Sequence, residues 1–309
     1  CQLLVTLDIE SLYTNIPQSD SIKAIEELLD TRPQPVAVPT SFLIELLTIA
    51  LTENYFKHQD TFYQQKSGTS MGAVFAPSLA NIYVNKFEHE FVLVDSNPFR
   101  KNIACWKRYI DDIFMIWDGT VNDLNLFLDF LHQAQPHLRF TSNQSSVSIP
   151  FLDLVIKHED DKLYTTVYRK PTDRNTLLQY RSFHPRSLRD GLPFGQFLRL
   201  RRNCAQKNDY FREAEILKAK LLARGYPKRL INRSLKRAWF NPREALLTKR
   251  AKTDGPKRVV CVTTFSPVSN KVSSIIKHHW HLLKETGIAD ETPLFSYKRG
   301  RNIKDHLVR

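Results

Sequence analysis

The residues in this chain whose types and spacing bear most directly on chemistry are three aspartates. Asp8 closes an apolar run, Leu3–Ile9, and Asp111-Asp112 lies in the middle of an aromatic and branched stretch, Ile103–Trp117. Such runs read as strands, the second as two strands meeting at a tight turn. Asp8 is then placed at a strand end and the pair at a hairpin tip, 103 residues later in sequence. Strand ends can converge. Converging carboxylates offer hard oxygen ligands to Mg²⁺, which needs few of them when substrate phosphates and water complete its shell. Two such ions stabilise both the attacking and the leaving oxygen when a 3′ hydroxyl displaces pyrophosphate. Taken singly, each element reads as structural: an aspartate after a strand caps or turns the chain, and an Asp-Asp pair in a hairpin is solvated. Their conjunction raises the catalytic reading.

Two other features bear on a polyanionic substrate. Gly68-Thr-Ser-Met-Gly72 is a loop whose glycines lack Cβ and accept positive φ, so backbone there can approach a ligand closely. Charge is the second. From Arg186 to Lys252 the sequence has 19 Lys+Arg against 5 Asp+Glu, a net of +14, whereas the remainder has 26 against 27, a net of −1. A field concentrated in this way suits nucleic acid, because neutralised phosphates release condensed counterions. The plainer alternative is a solvated basic helix face. Arg199, Arg201, Arg202, Lys228, Arg229, Arg233, Lys236 and Arg237 are candidate phosphate contacts, joined by Arg169 and Lys170 in a turn before Pro171.

The elements that must position these residues are of two kinds. The first part mixes strands and helices: the Leu3–Ile9 strand, helices over 20–29 and from Thr40 or Ser41, and a hairpin over 55–65 turning at Gln59-Asp60. A long helix follows with Pro77 in its first turn, then the acidic hairpin, a helix over 121–131, and short strands over 138–141, 151–156 and 163–168. After Pro185 the pattern becomes helical, over about 194–208, 210–224 and 228–239, which suggests a helix-turn-helix. Residues 241–257 read as a linker, Val259–Phe265 as a strand and Val272–Thr286 as a helix. The histidines at 278, 279 and 281 read as a polar helix face, since neighbours on a helix point different ways.

At 309 residues, 42% of them hydrophobic and 25% charged, the chain has a globular composition. No stretch approaches the roughly 20 apolar residues that cross a bilayer, and no signal-peptide pattern opens the sequence, so an intracellular protein without membrane contact is expected. Cys1, Cys105, Cys204 and Cys261 are far apart and read as buried free thiols. The abrupt opening Cys1-Gln-Leu-Leu suggests that the first residue is a fragment boundary.

The segments Leu7-Asp-Ile-Glu-Ser-Leu-Tyr-Thr-Asn-Ile-Pro17, Gly68-Thr-Ser-Met-Gly72 with Ala76-Pro77, and Arg108-Tyr-Ile-Asp-Asp112 resemble motifs A, B and C of reverse transcriptases, in the required order. In detail the chain looks like the polymerases of Penelope-like retroelements, which are related to telomerase reverse transcriptase. The similarity continues through Pro150-Phe-Leu-Asp-Leu-Val-Ile156, Tyr168-Arg-Lys-Pro-Thr-Asp173 and His184-Pro185.

This resemblance implies an α+β fold: a right-hand polymerase palm with an antiparallel sheet and packed helices over 1–184, then a basic, mostly helical thumb-like region over 185–240. Residues 258–309 form a C-terminal segment to which no role attaches. It further implies that Asp8 and Asp111 bind two Mg²⁺ ions, with Mn²⁺ as a substitute, and that Asp112 is the third carboxylate. Tyr13 falls where an aromatic ring obstructs a 2′ hydroxyl on the incoming nucleotide. Gly68, Met71 and Gly72 fall at the nucleotide and template, with Met71 standing where many relatives have Gln. Phe151–Ile156 falls at the primer grip, with Asp153 where many have Gly, so that a structural role as hydrogen-bond acceptor is expected of it. The implied partners are an RNA template, a DNA primer or target, and a dNTP; the implied location is the nucleus, helped by Lys249-Arg250 and Lys257-Arg258. Almost no fingers region precedes Asp8, and no GIY-YIG endonuclease motif is present. The rival expectation is a non-catalytic nucleic-acid-binding module in which the helix-turn-helix is the working part.

Overall fold

The computed structural model describes residues 2–33, 37–248, 258–287, 291–298 and 300. They form two compact units that divide between Pro171 and Thr172.

In the first unit, β1 (Gln2–Ile9) leads into a single turn α1 (Leu12–Asn15), then α2 (Gln18–Asp30) and α3 (Thr40–Thr52). A hairpin β2 (Tyr55–His58) and β3 (Thr61–Gln64) follows, turning through Gln59 at φ +53°. Next come α4 (Ala76–Phe87), β4 (Ile103–Tyr109), β5 (Asp112–Asp118) and α5 (Val121–Ala134). The unit ends with β6 (Phe140–Ser145), β7 (Ser148–Phe151), β8 (Leu154–Glu159) and β9 (Lys162–Val167).

The main sheet runs β4-β5-β1-β6, every pairing antiparallel. Because side chains alternate along a strand, β1 serves two cores. Val5, Leu7 and Ile9 join Ile113, Met115 and Trp117 in the large core covered by α4 and α5, which supply Leu79, Val84, Phe87, Leu124 and Phe127. Leu4 faces the other way, into a cluster with Phe114, Ile149 and Ile156 from the three-stranded sheet β7-β8-β9. Sandwiched on both faces, β1 is apolar almost throughout, and Asp8 is the position where the second face emerges into solvent. Helix α5 starts on a capping box: Thr120 Oγ1 accepts from Asp123 N and the Asp123 carboxylate accepts from Thr120 N, both at 3.1 Å.

The second unit contains α6 (Arg186–Asn203), α7 (Lys207–Ala223), α8 (Lys228–Trp239) and α9 (Arg243–Leu247). Beyond them β10 (Val260–Thr264) pairs in parallel with β11 (Leu294–Lys298), with α10 (Ser269–His278) and α11 (His281–Glu285) between.

Several elements depart from the sequence expectation for identifiable reasons. Neither Thr40 nor Ser41 caps α3; Pro39 holds the cap position and makes no side-chain bond. Helix α6 begins at Arg186 rather than near Phe194, so Pro193 lies inside it, where it is buried and lacks an N–H for the helical ladder. The strand expected over 151–156 is two strands: Leu152 takes φ +52° and the chain reverses there, with the Asp153 carbonyl accepting from Tyr168 N at 2.8 Å. The helix expected over 272–286 breaks between His278 and His281, where Trp280 is buried and its indole donates to the Glu291 carbonyl. Cys204 is buried, but Cys105 and Cys261 are half-exposed. Residues 249–257 of the expected linker, with Lys249, Arg250 and Lys257, lie outside the described residues, as do Cys1 and 301–309.

Candidate active site

Strand register brings the three aspartates together. Asp8 pairs directly with Asp112 across β1 and β5, and Ile9 N donates to the Asp111 carbonyl at 3.1 Å. Directly opposite residues of an antiparallel pair project to the same face with Cβ atoms about 4.5–5.5 Å apart. The faces follow from the alternation: Asp8 continues the Leu4, Thr6 side and Asp112 the Phe114, Ile116 side, away from the helices. Asp111 completes the group from the β4–β5 turn, which consists of Ile110 and Asp111 because Tyr109 pairs with Asp112.

Ile110 takes φ +57°, where a β-branched residue is an outlier. Such a conformation costs about 1–3 kcal/mol and persists only where the surroundings over-determine it. Here they do. The Ile110 side chain packs against the large core, and its carbonyl accepts from Arg108 Nη1 at 3.1 Å.

The electrostatics are those of crowded like charges. Partial burial, then the Asp111 and Glu10 carboxylates, push the Asp8 carboxyl above its ordinary range. Burial, Asp111 and Asp8 do the same to Asp112, while the Lys170 ammonium pulls it back. Lys170, proposed from sequence for a phosphate, therefore lies within electrostatic reach of the acidic group. The side chains do not already form a closed cage: among the described residues no set of three His, Cys, Asp or Glu is arranged to hold a metal ion. The carboxylate oxygens are of the hard donor type that Mg²⁺ takes, alongside substrate phosphates and water.

The glycine-rich loop is bonded to the segment after Asp8. Thr69 N donates to the Tyr13 carbonyl at 2.7 Å, and Gln18 Nε2 bridges the carbonyls of Gly68 (3.1 Å) and Leu51 (3.2 Å). Gly68 has φ +69°, and a Cβ there would meet Tyr13 O at 2.5 Å and Thr14 Cα and O at 2.6 Å. Its glycine is thus required by the protein's own backbone, whereas the sequence reading assigned it to close approach of a nucleotide. Gly72 is different, with its nearest such neighbour, Ser70 Oγ, at 4.0 Å. Met71 and Val74 stand 72% and 98% exposed, an unusual display of apolar surface that a base or sugar could cover. Beside the loop lies a cavity of 380 Å³ lined by Leu51, Asn54, Thr69, Ser70 and Phe75, where the Thr69 hydroxyl is buried with no hydrogen-bond partner. Tyr13 is half-buried and packs against the core, leaving part of its surface accessible on the segment that leaves β1.

The basic candidates separate into two sets. On α6, Arg201 stacks its guanidinium over Trp239 at 4.7 Å, and Arg202 Nε donates to the Leu246 carbonyl at 3.2 Å. Arg199, also on α6, is exposed and engaged by other protein groups. Arg237 on α8 lies over Phe194 at 4.1 Å. These arginines brace helix against helix. Lys228, Arg229, Arg233 and Lys236 are exposed on α8, opposite Leu230, Ile231, Ser234 and Ala238, which are buried. Arg229, Arg233 and Lys236, at i, i+4 and i+7, form one basic stripe. Arg169, half-buried, is likewise engaged within the protein.

The sequence reading missed Glu88 and Gln18. Nothing local marks either, since each acts on a residue distant in the chain.

With this geometry in view, the comparisons with known proteins are specific. Residues 1–146 match the reverse transcriptase (RNA-dependent DNA polymerase) family. Residues 176–236, which cover α6, α7 and most of α8, match the animal helix-turn-helix domain. The reverse transcriptase match covers all three aspartates and the glycine-rich loop. Among solved structures, telomerase from Candida albicans in complex with a fragment of telomeric RNA is 11% identical, with a TM-score of 0.54 over 76% of this chain and 40% of that one. Apo telomerase from Candida tropicalis (11% identity, TM-score 0.45, 77% of this chain and 42% of that one) and the Sicinivirus RNA-dependent RNA polymerase (14%, 0.40, 77% and 52%) are also similar. At such identity the Candida albicans likeness bears on the fold, which is that of a right-hand polymerase. The chain spans from 34% to 42% of the length of the telomerase chains it matches. No curated protein matches it.

Proposed function

We propose that this chain carries the polymerising core of an RNA-directed DNA polymerase of the Penelope-like kind, adding dNTPs to a primer 3′ hydroxyl on an RNA template. The observation that carries the reading is the register that sets Asp8 opposite Asp112 beside the Asp111 turn, within the segment that matches reverse transcriptases. Asp8, Asp111 and Asp112 would hold two Mg²⁺ ions, or Mn²⁺ in their place; when bound, these ions activate the attacking hydroxyl and offset charge on the leaving pyrophosphate.

The chain's own residues supply the rest. The Tyr13 ring lies against the sugar of the incoming nucleotide and excludes a 2′ hydroxyl. Met71 packs on the base or sugar at the open side of the loop, where Gly72 leaves room. Lys170 offers a cation to phosphates that gather at the aspartates. In the second unit Lys228, Arg229, Arg233 and Lys236 hold primer and template by their backbones, a contact that positions without reading sequence. Nuclear residence accords with a DNA target.

Primer extension on an RNA template with Mg²⁺ or Mn²⁺ tests this, with the chain compared with its Asp111→Ala variant. Extension lost on that substitution supports the reading. One specific pair of observations, the helix-turn-helix match and the α8 basic stripe, favours a second reading as a binding module. If the chain adds no nucleotide yet binds nucleic acid in a salt-dependent manner, unaffected by Asp111→Ala, the second reading prevails.

A further inference from the structure

The β4–β5 turn is held from behind by a buried polar cluster. Arg108 lies on the helix-facing side of β4, opposite Ile113, so its side chain enters the protein where Asp112 leaves it. Its guanidinium makes a two-pronged bond to Glu88, Nε to Oε1 at 2.8 Å and Nη2 to Oε2 at 3.0 Å. Nη1 donates to Asn81 Oδ1 at 2.8 Å and to the Ile110 carbonyl at 3.1 Å, and Nη2 reaches the Asn81 carbonyl at 3.4 Å. That engages every N–H a guanidinium possesses. Glu88 also accepts from the Trp106 indole at 2.7 Å, and both charged side chains are more than nine-tenths buried.

Placement gives this cluster its meaning. Asn81 belongs to α4, the helix that follows the glycine-rich loop, and Glu88 opens a π-helical turn, Glu88–Val92, at that helix's end. Such turns recur at functional sites. Arg108 ties both to the carbonyl of Ile110, the residue whose backbone is strained and whose neighbour is Asp111. A buried ion pair is a poor source of stability, because desolvation of both charges offsets their attraction; its better-attested use is to specify geometry. A clamp aimed at a strained carbonyl fits that use.

We propose that Arg108, oriented by Glu88 and Asn81, is a positioning residue that fixes the Ile110-Asp111 turn and so sets Asp111 and Asp112 for divalent-ion binding. The inference rests on the polymerase reading only in taking those aspartates as the ion's ligands. Lysine cannot reproduce the two-pronged bond together with the contact to Ile110, so Arg108→Lys keeps the charge and loses the clamp.

The test is Mn²⁺ affinity of the full chain, followed by electron paramagnetic resonance, with amide hydrogen exchange at Ile110 and Asp111 as a second readout. Arg108→Lys should weaken Mn²⁺ binding by about tenfold or more, as loss of a group orienting a ligand does, and should speed exchange in the turn. Asn81→Ala, which leaves the Glu88 pair intact, should do the same to a smaller degree. Thr120→Ala, which removes the α5 cap far from the turn, should leave affinity unchanged and so controls for mere destabilisation. Wild-type affinity and exchange in folded Arg108→Lys or Asn81→Ala would overturn the clamp. Asp111→Asn separates the two claims: Mn²⁺ binding that ignores this substitution would overturn the ligand assignment and the clamp's purpose with it. Binding lost in Asp111→Asn but untouched in Arg108→Lys would overturn the clamp alone.

Discussion

The acidic edge of the first unit and the basic stripe of α8 organise charge in opposite ways. At the edge, carboxylates of like sign are forced together by strand register and a strained turn, and partial burial with the Asp111 charge makes Asp8 and Asp112 harder to ionise. On α8 the basic groups sit apart on an ordinary amphipathic helix, exposed to water, with nothing strained to place them. On the proposed function, the first depends on geometry and the second on a sum. Shift one aspartate and the first should fail. Remove one arginine and the second should only weaken.

The largest effect expected is on catalysis at the edge. Replacing Asp8 or Asp111 with alanine should cost several kcal/mol of transition-state stabilisation, about a thousandfold or more in single-turnover nucleotide addition. Any single replacement among Arg229, Arg233 and Lys236 should leave that rate within a few fold once nucleic acid is saturating.

A second contrast falls within the glycine-rich loop. Gly68→Ala places a Cβ against the Tyr13 and Thr14 backbone at a positive φ. It should lower stability by about 2–4 kcal/mol in urea titration. Gly72→Ala meets open space and should change stability by less than about 1 kcal/mol.

On α8, each basic residue removed should lower the slope of log affinity against log salt by roughly 0.9 for duplex, with equal losses across sequences. A set of unequal, sequence-dependent losses would show that these side chains read bases.

The smallest effect should run against intuition. Asp8 and Asp112 have folded pKa values above their unfolded ones, so the folded chain binds more protons and these groups favour folding below the unfolded value, near 3.8. That advantage is lost as pH rises through the raised folded values. At neutral pH without divalent ions, Asp8→Asn should therefore stabilise the first unit by roughly 0.2–1 kcal/mol in thermal or urea melts while abolishing nucleotide addition.

Much of the acidic edge was legible in the sequence because local pattern alone marks it. Leu3–Ile9 is apolar on both faces because both are covered, and Asp8 stands out as the residue that breaks the run. Asp111-Asp112 stands out within its hairpin for the same reason. What could not be read was set by contacts between distant segments. That the Tyr13 and Thr14 backbone itself requires glycine at position 68 could not be foreseen from the loop's own sequence. That Arg201 and Arg237 lie over Trp239 and Phe194 leaves no local mark in the sequence. The helix that runs through Pro193 was hidden because a proline reads locally as a boundary, and its burial within α6 leaves no local mark. The reversal at Leu152 was hidden because an apolar run gives no sign of a left-handed residue inside it.

The most direct test of the account is affinity cleavage with Fe²⁺ in place of Mg²⁺, since iron bound at a carboxylate site generates radicals that cut the nearby backbone. The account predicts cuts clustered near Asp8 and Asp111, suppressed by excess Mg²⁺ and absent from the Asp111→Ala chain. Cuts elsewhere, or cuts near Asp8 that persist without Asp111, would contradict a divalent-ion site built by the β1–β5 register.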